Sequence, residues 1–209
     1  MKTRIGIVML FLSGIVLTNI HPLYAQSVWS EVNVANVLSF QFPPTLELRD
    51  MDNATMRLLQ NGVNQLLISR GGSKSDYNVT LQPKGFNNQG SSLYARVIVN
   101  IHVDSKTTGT ELDGLTDLDI KEADALFKNQ FTNSGMKGTW HGTTRRKYDG
   151  KYALVSRYDR AGLNGDVHVE DYRFFLNNYL VEITMSYRKS EFEYWNSDFT
   201  RIPLTLKFY

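Results

Sequence analysis

Apolar and polar positions alternate most cleanly over residues 94–104. Ala95, Val97, Val99, Ile101 and Val103 fall on one side, and Tyr94, Arg96, Ile98, Asn100 and His102 on the other. Successive side chains of an extended chain point to opposite faces, so this pattern predicts a strand with one core-facing side. The same period returns over Tyr179–Arg188, where Tyr179, Val181, Ile183, Met185 and Tyr187 oppose Leu180, Glu182, Thr184, Ser186 and Arg188. Three more strands are predicted before it, over residues 139–147, 151–160 and 166–176. The turn signals Asp149-Gly150, Gly162-Leu163-Asn164-Gly165 and Asn177-Asn178 separate the four, and such short connections join antiparallel neighbours.

Earlier in the chain, residues 36–42 read as a strand stopped by Pro43-Pro44, and residues 77–82 as another stopped by Pro83. Gly71-Gly72-Ser73 is a turn. Residues 50–63 fit an amphipathic helix through Met51, Leu58 and Leu59, and fit a strand pair equally well because Asn53, Asn61 and Gly62 weaken a helix.

Helical spacing occurs twice. Thr116 with Asp119 forms a capping-box signature ahead of Ile120, Ala123, Phe127 and Phe131, and Asn133-Ser134-Gly135 closes that helix. Phe192, Trp195, Phe199 and Ile202 recur at steps of three and four, which predicts a C-terminal helix docked on the sheet before Pro203 disrupts it. The expected class is α+β: an antiparallel β-sheet with a four-strand C-terminal meander and helices packed on it.

The N-terminus has a different pattern. Lys2 and Arg4 precede an apolar run over residues 5–20, and His21-Pro22-Leu23-Tyr24-Ala25 follows. This order reads as a secretory signal peptide of residues 1–25, leaving one globular domain over residues 26–209. The apolar run is shorter than the roughly 20 residues a helical membrane span needs, so no membrane insertion is expected after cleavage. The expected location is periplasmic or secreted, in a Gram-negative bacterium.

Charge follows the same division. The formal net charge of +2 is the contribution of Lys2 and Arg4, so the domain itself is balanced, which argues against a nucleic-acid partner. The chain has no cysteine, so disulfides, thiol chemistry and a lipoprotein anchor are excluded. A hydrophobic share of 42% and an aromatic share of 12% are those of a folded domain.

Candidate chemistry is sparse. His102, His141 and His168 lie singly on three predicted strands and converge only if those strands are neighbours, so no metal site is assigned. Glu111, Asp113, Asp117 and Asp119 lack the ligand rhythm of a calcium loop and suit a helix N-terminus instead. Arg145-Arg146-Lys147 beside Trp140 and Tyr148 reads as a solvated hairpin. Nucleophile-elbow, phosphate-loop and dinucleotide motifs are missing, and neither a catalytic residue nor a cofactor is assigned.

By strand parity, Arg96, Asn100, His102, Glu182, Ser186 and Arg188 share a face that a covering helix would want apolar, and Arg157 and Asp159 join it from the meander. Buried polar groups must pair, border a groove or remain in water. Arg96, Asn100, His102, Arg157, Glu182 and Arg188 are therefore the candidate ligand-binding residues.

The element order, with Leu38-Ser39-Phe40-Gln41-Phe42-Pro43-Pro44, the long helix before the meander, and Ile183-Thr184-Met185-Ser186-Tyr187-Arg188 leading to a Trp-bearing helix, resembles the PsbP-like α/β/α sandwich superfamily. Phe42-Pro43-Pro44-Thr45-Leu46-Glu47-Leu48, Gln82-Pro83-Lys84-Gly85 and Tyr94-Ala95-Arg96 are similar to a group of exported bacterial proteins within it. The resemblance spans the predicted domain and implies a docking, assembly or binding protein, without carrying catalytic residues. The expected function is an exported non-enzymatic binding or assembly module of the cell envelope, with an unknown protein or small ligand as partner. Two alternatives stand beside it. One is an exported hydrolase or small-ligand enzyme using the polar face, with His102 and Glu182 as acid and base; the other is a structural protein of the envelope.

Overall fold

The computed structural model describes residues 28–49, 77–86, 92–103 and 112–209. The expected signal peptide, the ambiguous stretch 50–63, the turn at Gly71-Gly72-Ser73 and the acidic residue Glu111 lie outside the described residues.

Ten strands and two helices make up the described fold. The strands are β1 (Ser30–Val34), β2 (Leu38–Phe42), β3 (Leu46–Leu48), β4 (Tyr77–Pro83), β5 (Ala95–Val103), β6 (Gly138–Tyr148), β7 (Lys151–Arg160), β8 (Val167–Leu176), β9 (Tyr179–Arg188) and β10 (Lys207–Phe208). The helices are α1 (Asp117–Asn133) and α2 (Phe192–Arg201). Seven strands form one antiparallel sheet in the order β3-β4-β5-β9-β8-β7-β6, and a small sheet in the order β1-β2-β10 stands apart from it.

The C-terminal meander is the one the turn signals predict. At the β6–β7 turn, Asp149 and Gly150 both take positive φ, 44° and 75°, which matches the twist of a two-residue hairpin. Asn178 supplies a left-handed residue at the β8–β9 turn. Strand β9 then crosses to pair with β5 along its whole length, from Ala95 opposite Tyr187 to Val103 opposite Tyr179.

One face of the large sheet is the core face. Val97, Val99 and Ile101 of β5, Val181, Ile183 and Met185 of β9, and Tyr172 and Phe174 of β8 are buried there. Phe40 and Leu38 of the small sheet, Trp195 and Phe199 of α2, and Ile202 just after it join the same core. Full burial of each large apolar side chain contributes about 1.5–3 kcal/mol. Phe192, the first member of the α2 stripe, stays half-exposed.

Two elements at the termini differ from expectation. β1 precedes β2 through a turn at Ala35 and Asn36, both at φ 54°, closed by Val37 N–H donating to the Val34 carbonyl at 3.0 Å. Its residues Ser30, Glu31 and Asn33 are polar, so it carries little apolar alternation. Pro203 continues into a 3-10 turn over Ile202–Thr205, after which β10 pairs with β2.

Helix α1 lies on the opposite face, over the β6 side of the sheet. Its capping box is formed: Thr116 Oγ1 accepts from Asp119 N–H at 3.3 Å, and the Asp119 carboxylate accepts from Thr116 N–H at 2.6 Å. The expected stripe is its inward face, with Phe131 buried against Trp140 and Tyr158 at centroid distances of 5.8 and 5.1 Å. The basic run folds into the surface around it. Arg145 donates to the carbonyls of Leu112 and Leu115, and both Arg145 and Lys147 lie over the Tyr152 ring.

Candidate functional site

The face opposite the core collects most of the polar residues singled out by parity. Across β5 and β9, Arg96 stands opposite Ser186, Asn100 opposite Glu182 and His102 opposite Leu180. His102 and Glu182 pair directly, and Asn100 is held from β4. His102 Nε2 lies 3.2 Å from Glu182 Oε2, and Asn78 of β4 donates to Asn100. Arg173 of β8 reaches Glu182 Oε1 through Nε at 3.3 Å and binds Asp171 through Nη2. Thr184 Oγ1 donates to Asp171 at 3.0 Å, completing a strip from β8 to β5.

Protonation follows from that wiring. The hydrogen bond from His102 lowers the Glu182 pKa most; burial opposes it, and Arg173 adds to the lowering. Burial pushes the Asp171 carboxyl up, against the pull of Arg173. Beside it, burial raises the Tyr158 hydroxyl to about 12, with the Asp171 charge acting in the same direction. Helix α1 closes over this end, with Phe127 placed 4.3 Å beneath the Arg173 guanidinium. A cleft of about 230 Å³ remains between Phe131, Trp140, Asp171 and Arg173.

Arg157 and Asp159 are not part of this strip. The register places Arg157 opposite Glu170, which in turn stands opposite Met185 of the core face. Arg157 binds Glu170 there, and Glu170 also accepts from the Tyr172 hydroxyl. Parity within one strand cannot relate it to a neighbour whose register is unknown, which is why the expected grouping fails for these two residues.

Arg188 and Arg96 sit at the end of the sheet. Arg188 donates to the Ser92 carbonyl and to Glu191, and Arg96 lies over the rings of Phe86 and Tyr94 at 4.4 and 5.5 Å. Arg160 donates to the Tyr94 hydroxyl at 3.1 Å. Between Tyr94 and the β7–β8 turn lies a groove of about 670 Å³, lined among the described residues by Phe86, Leu93, Tyr94, Arg160, Leu163 and Arg188. Leu163, at the tip of the turn, is fully exposed. The groove combines two guanidinium groups with aromatic and aliphatic surface, a chemistry suited to an anionic group carried on an apolar body.

A third cluster sits on the core face at its rim, at the β6–β8 side. Asp159 and His168 are directly opposite, with His168 Nδ1 at 2.9 Å from Asp159 Oδ1. His141 Nε2 lies 3.0 Å from Asp159 Oδ2, and Lys189 Nζ 2.6 Å from the same oxygen. A bulge positions His141: Trp140 pairs with Tyr158 and Gly142 with Arg157, so His141 is the extra residue. Burial works against the Asp159 carboxylate, but hydrogen bonds from Lys189, His168 and His141 outweigh it and hold its pKa at about 2.

No protein-family model matches the sequence, and no curated protein matches it. Solved structures do. The solution structure of cyanobacterial PsbP (CyanoP) from Synechocystis superposes with a TM-score of 0.55 at 14% identity, covering 88% of this chain and 94% of that one. The fold is PsbP-like. The Saccharomyces cerevisiae Ran-binding protein Mog1p is also similar, at 11% identity and a TM-score of 0.46, covering 87% of this chain and 96% of that one.

Within this PsbP-like fold, the strip and the groove use residues that strand parity had marked; of the histidine cluster, parity had marked Asp159 alone and assigned it to the opposite face. A signal for part of it was present. Asp159 and His168 flank the Gly162–Gly165 turn at matched distances, so a regular hairpin pairs them. His141 carried no such signal, because a regular β6–β7 hairpin would have turned it to the α1 face.

Proposed function

We propose that this chain is an exported, non-enzymatic binding or assembly module of the bacterial cell envelope, working in the periplasm or outside the cell. The observation that carries this reading is the groove of about 670 Å³ beside Tyr94, with Arg160 and Arg188 set among Phe86, Leu93 and Leu163. It fits an anionic, partly apolar segment of a partner protein or a small ligand of that character. Export rests on Lys2, Arg4, the apolar run over residues 5–20 and Ala25.

Placing a photo-crosslinking residue at Leu163 in the bacterial host tests it. The expected result is a discrete adduct from the envelope fraction that disappears when Arg160→Glu is added. An adduct unchanged by Arg160→Glu, or none at all, counts against the groove. Cell fractionation with N-terminal sequencing tests export, which predicts Gln26 as the first residue.

One observation favours a second reading, an exported hydrolase or small-ligand enzyme. It is the 3.2 Å contact between His102 and Glu182, the geometry of an acid–base pair. Any activity of the purified protein that persists in His102→Ala and Glu182→Ala variants removes this reading.

A further inference from the structure

We propose that His141, Asp159 and His168 form a binding site for a divalent transition-metal ion of the zinc class. This inference stands on geometry separate from the groove. The three side chains offer one oxygen and two imidazole nitrogens, all within 4.8 Å of one another. Zinc bonds these donors at about 2.0–2.2 Å in tetrahedral sites, which sets neighbouring donors a little over 3 Å apart. His141 Nε2 lies 3.0 Å from Oδ2 of Asp159 and His168 Nδ1 2.9 Å from its Oδ1, so each imidazole is already near that spacing from one carboxylate oxygen, and a shift of the two rings toward a shared oxygen would complete the set.

The donor set points to the metal. Two imidazoles with one carboxylate suit zinc and its first-row neighbours, whereas magnesium and calcium require mainly oxygen. The carboxylate is nearly buried, while the His141 side chain is 41% exposed, so the site has a rigid floor and an open side. That open side leaves a coordination position for water or a ligand group. The three donors come from three adjacent strands, and the bulge at His141 supplies the third.

Lys189 now occupies the position next to Asp159 that an incoming cation would share. Its side chain is half-exposed on a flexible stem, so it can swing into water when a metal ion binds. Two positive groups cannot both stay on one carboxylate oxygen, so Lys189 and the metal compete. An ion-pair knot around Asp159 with no metal role would show no such competition.

The test uses the purified full chain without an affinity tag, titrated calorimetrically with Zn²⁺ at neutral pH and separately with Mg²⁺. The expected result is one Zn²⁺ per chain and no Mg²⁺ binding. His141→Gln and His168→Gln should each weaken Zn²⁺ at least ~10-fold, the lower end of the cost of losing even an outer-shell partner. Lys189→Met should tighten it. Co²⁺ should give visible d–d bands in the wild type that His141→Gln changes, a readout that a folding defect monitored by circular dichroism would not mimic. Absence of saturable Zn²⁺ binding overturns the proposal, as does unchanged affinity in the His141→Gln/His168→Gln double variant or in Lys189→Met.

Discussion

The indole nitrogen of Trp195 donates to Oε2 of Glu191 at 2.9 Å, and the same carboxylate oxygen accepts from the backbone N–H of Tyr94 at 2.9 Å. Trp195 is fully buried, so its N–H has no access to water. One carboxylate thus ties the helix after β9 to the start of β5, and Arg188 binds its other oxygen.

Replacing Glu191 by Ala strands two donors at once. An unsatisfied buried donor costs about 1–3 kcal/mol, and loss of the Arg188 contact adds to it. Urea denaturation of Glu191→Ala should therefore show a loss of about 2–4 kcal/mol with an unchanged slope. A loss below about 0.5 kcal/mol would mean that water replaces the carboxylate.

Gly138 makes a different demand. A Cβ placed there would lie 1.9 Å from the Asp159 carbonyl oxygen on the neighbouring strand. That neighbour is backbone, so strand β6 must move to admit even a methyl group. Gly138→Ala should destabilise the protein by about 1–3 kcal/mol, as overpacking does, and should also disturb the His141–Asp159 contact. Thermal unfolding measures the first effect, and the histidine ring signals in NMR spectra report the second.

The sequence revealed elements more readily than their relations. Strand β9, helix α1 and helix α2 were legible because Val181, Ile183 and Met185, or Trp195, Phe199 and Ile202, repeat at the period of the element they form. β1 was not, because Ser30, Glu31 and Asn33 hide the alternation and its existence depends on a turn at Ala35 and Asn36. The candidate site divided along the same line. Arg96, Asn100, His102 and Glu182 share a face on two strands whose pairing matched their parity. Arg157 and His141 depended on inter-strand register, and at His141 a one-residue bulge reversed the side of the sheet the side chain takes.

Glu182 should govern part of the acid response. Its carboxyl is held below the ordinary glutamate value of 4.5 by the hydrogen bond from His102 first, with Arg173 adding to it against burial. A depressed folded-state pKa means that the folded protein binds fewer protons than the unfolded chain. The resulting stabilisation is complete above the unfolded value and is lost as pH falls through the folded one. The stability difference between wild type and Glu182→Gln should therefore be at its full value above the ordinary glutamate range and shrink steadily below about pH 4.5. Denaturation midpoints measured across that range check it, and a difference independent of pH would show that the carboxylate charge does not matter.

Arg173 holds the strip together, since it binds Asp171 through one nitrogen and Glu182 through another, with its guanidinium stacked on the ring of Phe127. Arg173→Met keeps much of the aliphatic volume and removes the charge, leaving the buried Asp171 carboxylate without its cation. Removing one partner of a buried pair costs about 3–5 kcal/mol, because the remaining charge stays desolvated. Burial already pushes Asp171 upward, so in the variant its carboxyl should take up a proton at higher pH. Adding Asp171→Asn removes that charge while leaving a side-chain oxygen to accept from Thr184 Oγ1, so the double variant should recover most of the loss. Chemical denaturation of both single variants and the double variant measures the coupling. Purely additive losses would show that the two side chains stabilise the sheet independently, whereas a coupling of about 2 kcal/mol or more is expected for groups in direct contact.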